Sequence, residues 1–201
     1  MERIVNEGKS SVLLELLKRS GDACEHDNER KDCSGCEEVK ERNVEISDML
    51  SWIQCSKEDT HIITVPDGCC NESEFYDLSL CGFESITELR VGDDCFMYVK
   101  KVVISGLKRL ERVWIGGRSF TKENKNKWLH ERDGQFHLTD CPSLKELIIS
   151  GVLSFSDYSV CEIANNPSLE HIQIGSLKWS HKCCSFYSAS LELKGRSVDD
   201  K

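Results

Sequence analysis

Cys141-Pro-Ser-Leu144-Lys-Glu-Leu147-Ile-Ile149-Ser150 comes back 25 residues later as Asn166-Pro-Ser-Leu169-Glu-His-Ile172-Gln-Ile174-Gly175. Three earlier stretches have the same ending: Ile62-Ile-Thr-Val65-Pro66, Leu89-Arg-Val91-Gly92 and Val113-Trp-Ile115-Gly116. Each is a short apolar-x-apolar strand followed by a turn residue. The key positions 63, 89, 113, 147 and 172 are 26, 24, 34 and 25 residues apart. Self-similarity at such a period is the signature of a solenoid, whose units cannot bury their apolar faces alone. From the second unit on an aromatic follows the strand: Phe96, Phe120, Phe155 and Trp179. These four are expected to stack as an internal ladder.

A second apolar pulse precedes each later strand: Leu78/Leu80, Val102/Ile104, Phe136/Leu138 and Cys161/Ile163. From Leu80, Ile104, Leu138 and Ile163 it is always six residues to Ile86, Leu110, Leu144 or Leu169. The long 34-residue interval holds a polar insertion, Thr121 to Gly134, as an excursion from one edge of a repeat should be. A smaller one, Ser180 to Ser188, follows Trp179. Leu191-Glu-Leu193 is the last pulse, and residues 196–201 read as a polar tail.

The units Leu144-Lys-Glu-Leu147-Ile-Ile149 and Leu169-Glu-His-Ile172-Gln-Ile174 resemble the Leu-x-x-Leu-x-Leu core of leucine-rich repeats. Cys141 and Asn166 stand near that family's Asn or Cys position. Ile115-Gly-Gly-Arg-Ser-Phe120 is similar to the irregular, surface-antigen-like (BspA-like) subclass. The resemblance covers residues 60–195. It implies an α/β or mainly β fold, a right-handed solenoid with a parallel sheet, and a binding role.

Upstream, residues 1–20 read as an amphipathic helix with Val12, Leu13, Leu16 and Leu17 on one face. Residues 21–42 are charged and poor in large apolar side chains, the composition of a flexible linker. Within 43–55, Ile46, Met49, Leu50 and Ile53 fall at i, i+3, i+4 and i+7, which predicts a helix capping the first repeat.

The net charge of −9 argues against a nucleic-acid partner, since it leaves little to neutralise phosphates. No run approaches 18 apolar residues, and the first residues lack the apolar stretch of a signal peptide. A soluble, cytoplasmic chain with no membrane partner is the expectation. Its twelve cysteines then read as reduced thiols, those of the repeat as small buried apolar groups.

Strand alternation turns two rows outward. One is Glu88, Arg112, Glu146 and His171, which reads as a self-paired charge ladder. The other is Arg90, Trp114, Ile148 and Gln173. A Trp beside an Ile on a solvated face, next to an Arg, has the composition of an interface anchor, which makes this row the candidate partner-binding site. The alternative for Trp114 is cover from a neighbouring loop through Trp128.

Chemical motifs are few. Cys24, His26, Cys33 and Cys36 form a weak zinc candidate with one Cys-x-x-Cys pair, where a structural site wants two close pairs. Gly8-Lys-Ser10 has Arg3 where a phosphate-binding loop needs Gly. No spacing singles out a Cys–His nucleophile, and His130, His137 and His171 read as surface. The expectation is a non-catalytic interaction module, scaffold or adaptor, with no cofactor and with self-association at an open end. The alternatives are a substrate-recognition subunit or fragment of a larger complex such as a ubiquitin ligase, and a small zinc-binding protein.

Overall fold

A computed structural model of the chain describes residues 42–121, 133–175, 185–186 and 189–194. The protein is mainly β. In chain order it forms β1 (Arg42–Glu45), α1 (Met49–Gln54), β2 (Thr60–Val65), β3 (Asp77–Ser79), β4 (Glu88–Val91), β5 (Lys101–Ser105) and β6 (Arg112–Ile115). β7 (Gly134–Thr139), β8 (Glu146–Ile149), β9 (Tyr158–Ala164), β10 (His171–Ile174) and β11 (Ser190–Lys194) follow.

From β2 on, successive strands alternate between two sheets. Sheet A has the order β1-β2-β4-β6-β8-β10, sheet B the order β11-β9-β7-β5-β3. Every pairing is parallel. Parallel neighbours need a long crossover between them. Here the crossover between two strands of one sheet carries a strand of the other. The key positions of the sequence fall in register across sheet A: Ile63 opposite Leu89, Leu89 opposite Val113, Val113 opposite Leu147, Leu147 opposite Ile172. The second pulses do the same in sheet B, where Leu78, Val102, Phe136 and Cys161 align. Inward side chains of both sheets meet in one core that includes Leu89, Val113, Leu147, Val102, Phe136 and Cys161.

A column of rings runs along this core. Phe96 stacks on Phe120 at 5.0 Å between centroids, Phe120 on Phe155 at 4.6 Å, and Phe155 on Phe186 at 4.5 Å. Among the described residues the fourth rung is Phe186; Trp179, expected in the ladder, lies outside the described residues. All four rungs have a left-handed backbone, with φ of 56°, 57°, 58° and 54°. The residue before each rung explains how these turns are held. Cys95, Ser119, Ser154 and Ser185 donate to the carbonyls of Pro66, Gly92, Gly116 and Gly151 in the turn of the preceding sheet A strand. Ser119 and Ser154 are fully buried, so these bonds give their hydroxyls the partner that water cannot supply there. Asn166 does similar work beside sheet B: its side chain accepts from Cys141 N–H at 2.9 Å and donates to the Leu138 carbonyl at 3.0 Å.

The helix expected over 43–55 forms over Met49–Gln54 and is replaced by strand at its start. Residues 42–45 are strand β1 along β2, and Ile46 N–H continues that pairing to the Thr64 carbonyl at 2.8 Å. Only Met49–Gln54 is helical, because Asp48 caps it: its side chain accepts from Ser51 N–H at 2.7 Å. Ile46 is buried in the core from the position just after β1, while Leu50 and Ile53 are exposed. Met49 and Trp52 face inward instead, with Trp52 5.5 Å from Phe83. The helix expected over 1–20 and all but the last residue of the 21–42 linker lie outside the described residues. Among the described residues no helix is long and apolar enough to cross a membrane.

Candidate partner-binding face

The four residues of the candidate site sit on four successive strands of sheet A. Arg90 on β4 is in register with Trp114 on β6, Trp114 with Ile148 on β8, and Ile148 with Gln173 on β10. At about 4.8 Å per strand the row is about 14 Å long. Alternation puts it on the side of sheet A away from the core, since Leu89, Val91, Val113 and Ile115 on the same strands are buried. Arg90 is exposed, whereas Trp114, Ile148 and Gln173 are half-buried.

The second outward row, Glu88, Arg112, Glu146 and His171, is likewise in register. The sequence suggests two separate rows, but the side chains join them. Glu88 receives Nε and Nη2 of Arg112 from its own row on one carboxylate oxygen, and Nε and Nη2 of Arg90 from the other row on the other oxygen. Trp114 Nε1 donates to Glu146 at 3.2 Å, and the Arg90 guanidinium lies 5.1 Å from the Trp114 ring centroid. One network therefore runs Arg112–Glu88–Arg90–Trp114–Glu146.

Glu88 also departs from the solvated ladder expected of it, being only 5% exposed. Burial alone pushes its carboxyl up. The hydrogen bonds from Arg112 and Arg90, together with their charges, outweigh burial and hold it below the usual carboxylate range. A buried carboxylate is tolerated when charge-assisted hydrogen bonds fill its lone pairs, as they do here. Arg112 is raised in turn, chiefly by its hydrogen bond to Glu88. The arrangement fixes Arg90 against Trp114, so little side-chain freedom remains in the pair. Gln173 is less available: its Nε2 donates to the Gly175 carbonyl at 3.2 Å. Trp128, the side chain expected to cover Trp114 in the alternative reading, lies outside the described residues.

The chemical candidates divide in the same way. Cys24, His26, Cys33 and Cys36 lie outside the described residues, as do Gly8-Lys-Ser10 and His130. Among the described residues no group of three His, Cys, Asp or Glu side chains could hold a metal ion. His137 lies against Glu162, Nδ1 to Oε2 at 2.9 Å, on the outer side of sheet B. Seven described cysteines are outside any disulfide, with Cys70, Cys95, Cys141 and Cys161 buried and Cys81 exposed. Burial pushes the Cys95 and Cys141 thiols up to about 11 and Cys161 up to about 12, and Cys70 higher still. Such thiols are core packing groups and poor nucleophiles.

The sequence reading misses two features here, the burial of Glu88 and the Ser/Cys bonds behind the aromatic column. The second carries a readable signal, the dipeptides Cys95-Phe96, Ser119-Phe120, Ser154-Phe155 and Ser185-Phe186. Comparison with protein-family models, curated proteins and solved structures found no match to this chain.

Proposed function

We propose that this chain is a non-catalytic protein–protein interaction module, a scaffold or adaptor that binds a protein partner through the outward face of sheet A around Arg90, Trp114 and Ile148, with Gln173 at the edge. The architecture proposed is a right-handed, leucine-rich-repeat-like solenoid. The alternation of strands between two parallel sheets and the register of the key positions support that architecture.

The observation that carries the binding reading is the preorganised Arg90–Trp114 pair beside Ile148. Arg and Trp are the side chains that most often anchor interfaces, and an anchor held in place by its own neighbours binds at lower entropic cost. Thiols buried unpaired in the core favour a reducing compartment, and the cytoplasm is the compartment proposed. A photo-crosslinking residue at position 148 tests the face directly. It should form adducts with a partner in cell extract, while the same residue at position 103, outward on sheet B, should not. Equal adducts from both positions contradict the reading.

A further inference from the structure

The two ends of the described fold differ. At one end β1 extends sheet A and α1 packs beside it, with Trp52 set against Phe75 and Phe83. At the other, β10 and β11 are the last described strands of their sheets. The inward side chains there are open: Ile172 is 39% exposed, Leu191 52% and Leu193 57%. Their register partners one strand back, Leu147, Cys161 and Ile163, are 0%, 0% and 3% exposed. Two sheet edges flanking an uncovered apolar interior form a template for further strands.

The charge order along β11 selects the strand that fits. Laid antiparallel on a copy of itself about Leu193, Leu191-Glu192-Leu193-Lys194 sets Leu193 opposite Leu193 and Glu192 opposite Lys194, twice. Laid about Glu192 it opposes two carboxylates, and a one-residue slip turns the leucines to the other face. Glu192 and Lys194 are 2.9 Å apart within the chain, so the two charges already lie on one side of the strand. On β10, antiparallel pairing about Ile172 keeps the isoleucine inward and opposes no like charges. We propose that the chain forms a two-fold dimer end to end, with β11 pairing antiparallel to β11 of the second copy about Leu193 and β10 pairing to β10. The contact is isologous, as closed dimers require, and the apolar interior runs unbroken from one copy into the next. The dimer uses none of Arg90, Trp114 and Ile148 and meets the binding face proposed above only at its edge, through Gln173 on β10.

Sedimentation equilibrium of the full chain, under reducing conditions from micromolar to millimolar, tests this. Wild type should dimerise reversibly. E192K and K194E each create two like-charge pairs and should weaken the dimer about tenfold or more. An equimolar mixture of E192K and K194E restores opposite charges across both pairs and should recover wild-type affinity as a heterodimer, which a folding defect would not allow. L193D should be monomeric throughout. A wild type that stays monomeric, charge variants that associate as tightly as wild type, or a mixture no tighter than either variant alone would each overturn the proposal.

Discussion

Replacing Phe120 with Leu isolates what the aromatic column contributes. Phe120 is 2% exposed and stacked on both sides, against Phe96 at 5.0 Å and Phe155 at 4.6 Å. Leucine keeps the site apolar but removes both ring–ring contacts, each worth about 0.5–1.5 kcal/mol beyond area burial. It also leaves a small void, for which about 0.5–1 kcal/mol more is reasonable. The backbone should not add to this, because Leu153 already adopts the same left-handed conformation with φ of 62°. The expected loss is about 2–3 kcal/mol. At a urea dependence of about 2–3 kcal/mol/M, the unfolding midpoint falls by about 1 M. Equilibrium urea unfolding followed by circular dichroism, with Y76A as an exposed-site control, is the assay. Tyr76 is 55% exposed, so the control should stay within about 0.5 kcal/mol of wild type. If F120L unfolds within about 0.2 M of wild type, the column does not couple successive turns, and the packing account fails.

Three further outcomes follow from other parts of the fold. A Cβ at Gly151 would lie 1.8 Å from the Gly117 Cα, a backbone atom that cannot move aside cheaply, so G151A should cost about 3 kcal/mol or more, or prevent folding; a Tm within two or three degrees of wild type would contradict this close approach. The Glu88 carboxyl is depressed in the folded state, so its contribution is present above the unfolded carboxylate pKa of about 4.3 and fades as pH falls through the lower folded value. E88Q should therefore be less stable than wild type near neutrality, with the gap narrowing below about pH 4; a gap that is constant with pH would show that Arg90 and Arg112 do not hold Glu88 charged. In thiol alkylation read out by peptide mapping, exposed Cys81 should react well before Cys141 and Cys161, whose thiols are buried and pushed up to about 11 and 12; comparable rates would contradict their burial.

Much of the fold is legible in the sequence because apolar spacing in a parallel sheet maps directly onto register. The 26-, 24-, 34- and 25-residue intervals differ, yet residues 63, 89, 113, 147 and 172 align, because the turns outside the strands absorb the differences. Periodicity failed at the start of the described chain. Ile46 fits a helical face by spacing, but it lies outside the helix, its N–H bonds to the Thr64 carbonyl, and its side chain reaches the core from there. Size and spacing from the strand do not point to Phe186 as a rung; the hydrogen bond made by the residue before it, Ser185, is what marks it. For the candidate face, alternation was enough to place Arg90, Trp114, Ile148 and Gln173 in one row. It could not reveal that Glu88 ties that row to its neighbour, because diagonal contacts depend on how far an arginine reaches and which rotamer it takes.

The central claim is that the Arg90–Trp114 face of sheet A holds a protein partner, and matched affinity capture with wild type and W114A tests it most directly. Trp114 is half-buried on the outward side, so W114A should stay folded, which its unfolding midpoint will verify. Truncating an interface anchor costs about 2 kcal/mol or more, a loss of about thirtyfold in affinity. The account predicts a partner retained by wild type and lost from folded W114A. Recovery of the same partners at the same yield by both proteins would contradict it.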